Sequence, residues 1–587
     1  MVDRARRIAE PADWLFVALA VGCGVTLLYL GRSLTFQDDE WRSITFDGGV
    51  LDYIRPVNQH WSTIPLLMYR GTFHVVGLHS YIPYLAEVVV LHLVAVSGAY
   101  MLMRRRVGSL VAMLAALPLL FLGSGAENLF WGFQTGFVGS VMFGVWGLFF
   151  LERPGSRAAV VASVLLIASL ASSGMGNFFL VVAAGRTIFD SAIRVRTLAV
   201  APAAVAYAVW FGLVGRDPIR DDQVFLESGI PRFAVRGVVH ATKSISGLGH
   251  LPDGDTWGLV LFAGLVLLTG LRFARGRPQP LAAACLLGVA AMYTLIAPVR
   301  LHADPGYDHA ISSRYVYIPG FLLVLAVVDL LPRKGEWALR GRAVGTAISA
   351  VLVAALGLAV AANVDDLRLK RSEFQDSANF TRAFVNVALE HGHETWVDRG
   401  VERGWMPSVS ELEHIVARHG SPLHDDWFPG VVPAPNPVVE EAALLALVGD
   451  GFRVEQARVR DPLIEIRVRS VGHVTKVGRC ARARFGLDAS VWILDLPPRA
   501  RVRVTSARRL QARLFLAHER GPGRRIFASF EPGAPRDVLI PDIGDARAWE
   551  LGLDTTEPKF VDVALCALVP EGRAPAEASR AVLRRRE

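Results

Sequence analysis

The residues of this chain best suited to chemistry stand in short stretches beside long apolar runs. The first is Gln37-Asp38-Asp39-Glu40-Trp41, which follows the run from Trp14 to Leu30. Ionised carboxylates this close to a membrane face surrender part of their hydration, so three in a row need a reason. A carboxylate at the water boundary can take the proton of an acceptor hydroxyl. A second one nearby raises its pKa toward working pH. On this reading Asp38, Asp39 and Glu40 are the catalytic set; on a plainer one they are loop charges balancing Arg32 and Arg42.

The second stretch, Ser124 to Gln134, places Glu127, Asn128 and Gln134 among Phe130, Trp131 and Phe133. Sugars suit that mixture, because paired hydroxyls match carboxylate and amide groups while the C–H face of the ring stacks on an aromatic side chain. An interfacial aromatic belt explains the rings equally well, but not Glu127. The third stretch runs from Arg300 to Tyr315. Arg314 carries a permanent forked charge that fits a phosphate, or else it snorkels to the interface. His302, Asp304, Asp308 and His309 could join Asp38 or Asp39 around a divalent cation such as Mg or Mn, although no short metal motif is present. His309 and Tyr315 are counted with Arg314 as substrate-binding candidates.

These stretches need elements to hold them. Of the 587 residues 52% are hydrophobic, above the roughly 45–50% of soluble domains even with glycine counted. The excess lies in runs of roughly 17 to 25 residues, enough to cross about 30 Å of hydrocarbon. About eleven spans are expected, near 14–31, 81–103, 108–123, 135–151, 157–172, 175–190, 197–215, 257–274, 279–299, 315–332 and 343–363. The first, lacking a small-residue cleavage site, reads as a retained helix. The net charge of +8 comes from arginines in short loops, a membrane pattern rather than a nucleic-acid one.

Charge sets the topology. Arg104-Arg105-Arg106, Arg153/Arg157, Arg186/Arg194/Arg196, Arg272/Arg275/Arg277 and the 333–342 loop alternate with loops 124–134, 173–174 and 300–314, which carry few Lys or Arg, and with the longer loops 32–80 and 216–256, which carry a mixture. Basic loops stay inside, which places the N-terminus in the cytoplasm and the acidic cluster outside. The alternation requires a break near Ser172-Ser173-Gly174, since one helix across 157–190 would invert every later loop. In the long loop 32–80, residues 56–70 read as an amphipathic helix on the membrane surface, laying His60 and Trp61 near the acidic cluster.

An odd number of spans puts everything after about residue 364 outside. The expected divisions are a transmembrane domain, 1–363; a mixed, helical connector, 364–452; a β-sandwich, 453–572; and a disordered tail, 573–587. Alternation in Leu463 to Val468, Val491 to Leu496 and Arg501 to Val504, punctuated by Gly521-Pro522-Gly523 and Pro532-Gly533, argues for the sandwich. Cys480 and Cys566 fall within it as a disulfide or as buried free thiols. Cys23 and Cys285 sit in apolar runs as small core residues.

The acidic pair in the first external loop, the surface helix of that loop, the many spans and the external C-terminal domain together resemble the GT-C membrane glycosyltransferases of the actinobacterial cell-envelope type. The stretch Ser312-Ser313-Arg314-Tyr315-Val316-Tyr317-Ile318-Pro319 is similar to the Arg-Tyr-containing start of a late helix in such enzymes. The resemblance covers roughly residues 1–363. It implies an inverting transfer of a hexose or pentose from a polyprenyl-phosphate carrier to a glycan, lipid or protein acceptor. Asp38 or Asp39 would be the base and Arg314 the holder of the leaving phosphate. The β-rich tail resembles carbohydrate-binding modules of cell-wall arabinosyltransferases. Two other readings are a transporter or flippase of lipid-linked saccharide, and a non-catalytic envelope scaffold. A transporter should show ionisable residues in mid-span and paired broken helices, whereas here the polar groups gather at one face.

Overall fold

A backbone surrounded by hydrocarbon must satisfy its own N–H and C=O groups, and the apolar runs accordingly fold as helices. The computed structural model describes residues 10–568 except 47, 58, 191–195, 217–228, 301–307, 334–341, 394–405 and several short stretches between 434 and 560. Its helices are α1 (Pro11–Gly31), α2 (Asp39–Ile44), α3 (Thr63–Val76), α4 (Ile82–Val107), α5 (Ser109–Leu120), α6 (Glu127–Phe130), α7 (Thr135–Leu151) and α8 (Ser156–Ser172). There follow α9 (Gly176–Phe189), α10 (Thr197–Trp210), α11 (Ile230–Ile245), α12 (Gly254–Ala274), α13 (Pro280–Arg300), α14 (Tyr317–Leu330), α15 (Arg342–His391) and α16 (Val409–His419).

Among the described residues seven segments are long and apolar enough to cross a membrane: Pro11–Gly31, Ile82–Val107, Gly132–Leu151, Thr197–Gly215, Gly254–Ala274, Pro280–Arg300 and Ser313–Leu330. Each coincides with an expected span. The expected spans at 108–123, 157–172 and 175–190 are the shorter apolar helices α5, α8 and α9, of 12, 17 and 14 residues. The chain is a multi-pass membrane protein. Helix α12 shows the lipid-facing surface: it buries only Gly254, Gly258 and Thr269, and leaves Leu259, Val260, Leu261, Val266 and Leu267 exposed. Such a face is at home only in hydrocarbon. Close packing elsewhere rests on missing side chains, since a Cβ on Gly144 would strike the Phe179 ring and one on Gly237 the Tyr293 ring.

Charged groups gather at the helix ends. At one end Arg106, in the last turn of α4, pairs with Glu152 after α7 and with Asp329 of α14, the latter at 3.0 Å. Arg186 of α9 reaches the same Glu152 at 3.2 Å, and the second oxygen of Asp329 accepts the Ala282 N–H of α13 at 3.0 Å. Asp13 of α1 pairs with Arg104 at 2.6 Å. One polar layer therefore ties α1, α4, α7, α9, α13 and α14 together at a common end. The residues singled out for chemistry follow α1 or precede α7 and α14, at the opposite end.

The chain packs as two units, 1–376 with 425–432, and 377–424 with 433–587. The division expected at 363 falls inside α15, a single helix of 50 residues. In the second unit the alternating stretches are strands: β1 (Val454–Gln456), β2 (Leu463–Ile464), β3 (Arg467–Val471), β4 (Val474–Val477), β5 (Cys480–Phe485), β6 (Ser490–Leu496), β7 (Arg501–Ser506), β8 (Leu510–His518), β9 (Gly521–Phe530), β10 (Arg536–Leu539), β11 (Trp549–Thr555) and β12 (Val561–Leu568).

One sheet runs β1-β10-β7-β12-β5-β4, with β2 also on β12, and the other β3-β6-β11-β8-β9. Both are antiparallel, and their inward residues share one core that includes Ile493, Val502, Leu514, Trp549, Leu551 and Leu565. Cys480 and Cys566 stand opposite each other on β5 and β12 and are joined as a disulfide. The tail 573–587 lies outside the described residues.

The polar layer is the part of the membrane unit most sensitive to one change. Arg106→Met leaves Glu152 and Asp329 buried without their shared cation, and breaking such a pair costs about 3–5 kcal/mol. A clearly lowered unfolding temperature of the detergent-solubilised protein is the expected result; an unchanged one would show the layer to be ornamental.

Candidate active site

The path from α1 to α2 is laid down by packing. After Gly31, where a Cβ would strike Leu85, residues Ser33 to Gln37 run buried, and Phe36 meets the Tyr81 and Tyr84 rings edge-on at 5.1 and 5.0 Å. At Asp38 the backbone turns through φ 41° and ψ −115° to start α2. A non-glycine residue there is strained, and strain persists only where the surroundings over-determine it.

The surroundings are organised by Glu40, which has no exposed surface. Its Oε2 accepts the Gln37 N–H at 2.8 Å, reaching back over the strained residue as a capping side chain does. Its Oε1 accepts the Tyr81 hydroxyl at 3.0 Å and the Tyr69 hydroxyl at 3.3 Å. The Gly132 N–H in turn donates to the Tyr81 oxygen at 2.8 Å, and a Cβ on Gly132 would sit 2.6 Å from Glu40 Oε1. Burial pushes the Glu40 carboxyl up to about 8; its hydrogen bonds oppose the shift and the charge of Asp38 adds to it.

Asp38 is different. It is exposed to solvent, yet enough protein surrounds it that desolvation raises its pKa, with the positive charge of Arg314 pulling the other way. This describes an exposed carboxylate that is partly desolvated and lies within electrostatic reach of a guanidinium. Asp39, in the first turn of α2, is buried.

Arg314 is held by the second stretch. Its Nε lies 2.7 Å from Glu127 Oε1, a charge contact rather than an aligned hydrogen bond, and its backbone N–H donates to Glu127 Oε2 at 3.2 Å. Asn128 Nδ2 donates to the Arg314 carbonyl at 3.1 Å, Ser313 Oγ donates to the Ser124 carbonyl at 2.9 Å, and the guanidinium carbon is 5.9 Å from the Trp131 ring centre. About a third of the Arg314 side chain remains open to solvent. Asn128 and Trp131 are buried, and among the described residues nothing is hydrogen-bonded to Asn128 Oδ1 or Trp131 Nε1. Buried polar atoms of this kind call for an explanation, and a polar ligand beside Arg314 supplies one.

The other expected residues are scattered. Tyr315 and Gln134 are buried in packing roles: the Tyr315 carbonyl accepts the Tyr293 hydroxyl at 2.9 Å, and the Gln134 N–H donates to the Trp131 carbonyl. His309 is buried in the turn that Asp308 caps, while Asp308 itself pairs with Arg236 at 2.7 Å. His60 does not join the acidic cluster. Its ring lies against Gly174 and Phe137, and burial, helped by Arg300, lowers its pKa to about 4. Trp61 stacks flat on Trp210 at 5.3 Å and donates to Thr63 Oγ1 at 2.9 Å, so one face of its ring is already covered.

The surface helix expected over 56–70 is α3, shifted to Thr63–Val76, and that shift carries His60 and Trp61 out of the helix. Among the described residues no three His, Cys, Asp or Glu side chains converge on a point that could hold a metal ion. His302 and Asp304 lie outside the described residues. Sequence reasoning missed Tyr81 as a partner of Glu40 and Gly132 as the donor to Tyr81; the Tyr-Ile-Pro start of a span and a glycine between two aromatics were the available signals, and neither names its partner.

No protein-family model and no curated protein matches the sequence. Among solved structures, the single-particle cryo-EM structure of the arabinofuranosyltransferase AftD from Mycobacteria matches at 12% identity over 97% of this chain, with a TM-score of 0.32. The chain spans 59% of the length of that one. A likeness of this depth assigns no activity to the present chain.

The raised Glu40 gives a signed pH dependence. The folded protein holds this proton where the unfolded chain, titrating near 4.5, releases it, so stability falls as pH rises between 4.5 and about 8. The slope is at most about 1.4 kcal/mol per pH unit. Glu40→Gln should flatten the profile of unfolding temperature across that window; a variant that tracks the parent protein throughout would mean the carboxyl is ionised in the fold.

Proposed function

We propose that this chain is a GT-C glycosyltransferase that moves a hexose or pentose from a polyprenyl-phosphate carrier to a cell-envelope glycan, lipid or protein, with inversion at the anomeric carbon. Eleven spans, a cytoplasmic N-terminus and an extracytoplasmic β-rich domain that binds carbohydrate complete the reading. The observation that carries it is the Glu127–Arg314 ion pair, which leaves part of the guanidinium open within electrostatic reach of Asp38. An exposed, partly desolvated carboxylate feels the charge of a guanidinium that Glu127 holds in place while leaving part of it exposed.

In this reaction Asp38 removes the proton of the acceptor hydroxyl, and that oxygen attacks the anomeric carbon from the side opposite the carrier. The bond from carbon to phosphate oxygen breaks, the electron pair leaves on the phosphate, and Arg314 stabilises the added charge. A low-dielectric site makes that stabilisation large. Glu127 prevents Arg314 from collapsing onto Asp38. Asn128 Oδ1 and Trp131 Nε1 contribute an acceptor and a donor for the hydroxyls of the sugar. Asp39 is too enclosed to meet an acceptor, and Glu40 braces the turn instead of reacting.

The test uses purified protein and a panel of polyprenyl-phosphate sugars. Asp38→Asn keeps a residue that tolerates positive φ and removes only the base, so transfer should fall about 10²- to 10⁴-fold. Asp39→Asn should retain most of it. Consumption of no donor, or equal rates for Asp38→Asn and the parent protein, ends the assignment.

A further inference from the structure

The segment 425–432 packs with the membrane unit, although the chain on either side of it belongs to the other unit. Two consecutive aspartates fasten it. Asp425 is buried; its Oδ2 accepts the Ser80 hydroxyl at 2.7 Å, and its Oδ1 accepts the N–H groups of Trp427 and Phe428 at 2.9 and 2.8 Å. Asp426 donates its N–H to the His79 carbonyl at 2.9 Å and sets its carboxylate 2.5 Å from His79 Nδ1. Both carboxylates help to hold the turn, Asp426 with 41% of its side chain still exposed. What the turn presents outward is Trp427-Phe428-Pro429-Gly430, with the two rings 54% and 46% exposed.

The place of attachment is informative. His79 and Ser80 stand just before Ile82, where α4 enters its span, and the other end of α4 carries Arg104, Arg105 and Arg106. A bilayer that covers the apolar length of α4 has its headgroup region at the depth of these two residues. Val75 and Leu67, on one face of the neighbouring α3, are exposed at the same border, at 86% and 53%. Tryptophan and phenylalanine presented there, with the adjoining carboxylates already partnered, have the composition of an interfacial anchor.

We propose that Trp427 and Phe428 insert into the headgroup region of the leaflet at the N-terminal end of α4, so that the chain is pinned to the membrane surface where it passes between α16 and the β-rich unit. The occupant of this apolar tip is the lipid interface, continuous with the lipid-facing surface of the helices. The inference is independent of sugar transfer and of which leaflet is the outer one.

The experiment uses the full-length protein in phosphatidylcholine vesicles. A polarity-sensitive fluorophore is attached at Phe428→Cys and, for comparison, at Ala507→Cys on an exposed turn of the β-rich unit; labelling of the parent protein measures the background from Cys23 and Cys285, both buried. Quenching by lipid with a nitroxide at the fifth acyl carbon should be at least about two-fold stronger at 428 than at 507, as expected for a ring about 5–10 Å deep. Aqueous iodide should quench 507 but not 428. Equal iodide quenching at both positions would place the tip in water, and protection of 428 from both quenchers would place it against protein; either result overturns the proposal. Because the side chain is exposed, Phe428→Ala should leave the unfolding temperature unchanged, which separates anchoring from folding.

Discussion

A carboxyl group with no access to water, Glu40, is the interaction on which the rest of the site depends. Burying it is unfavourable unless every lone pair is served, and the donors come from three separate parts of the chain: Gln37 in the same turn, Tyr69 on α3, and Tyr81 at the entrance to α4. Gly132 closes the group from a fourth side and is bound to it through Tyr81. None of these elements can shift alone, since each movement would strip a hydrogen bond from a buried acid. The loop after α1, helix α3 and the aromatic stretch before α7 are thereby locked to one another.

The bilayer supplies the second constraint. Charged groups cannot sit in mid-span without partners, so the helix ends collect them, and the two ends collect them differently. At the end that carries Arg106, each acid meets an arginine and the network is closed: Arg106, Glu152, Arg186 and Asp329 satisfy one another. At the other end the balance is left incomplete. Glu127 engages Arg314, Glu40 is enclosed by tyrosines, and Asp38 keeps its exposure. A closed network holds helices together, whereas an open one leaves charge available to a ligand.

Much of this was readable in order along the chain. Apolar length located the seven segments that can cross, and alternating arginine-rich loops demanded the interruption that is found between Ser172 and Gly176. Period-two alternation located strands such as Ser490–Leu496 and Arg501–Ser506. Residue type alone marked Asp38, Glu127 and Arg314. What could not be read was distance across the fold. The contact of Tyr81 with Glu40 spans 41 positions, and nothing in either neighbourhood names the other. His60 and Trp61 were misplaced for the same reason. Their amphipathic surroundings signalled a helix correctly, but its start at Thr63, seven residues after the expected one, and the ring of Trp210 waiting to stack on Trp61, are tertiary facts.

The two acids 38 and 40 show why adjacency in sequence says little about role. Both are raised above their ordinary range by desolvation, but Glu40 spends its oxygens on the protein while Asp38 stays exposed and feels the charge of Arg314. Backbone geometry does not require an acid at 38, because asparagine and glycine enter positive φ as readily. Hydrogen bonding by Glu40 already fixes the turn from the other side, so an uncharged residue at 38 would have served the fold. The carboxylate adds a negative charge within electrostatic reach of Arg314, bought with strain in the backbone and with partial dehydration. In the proposed transfer that charge is what takes the proton of the acceptor, and the exposure of Asp38 lets the acceptor reach it.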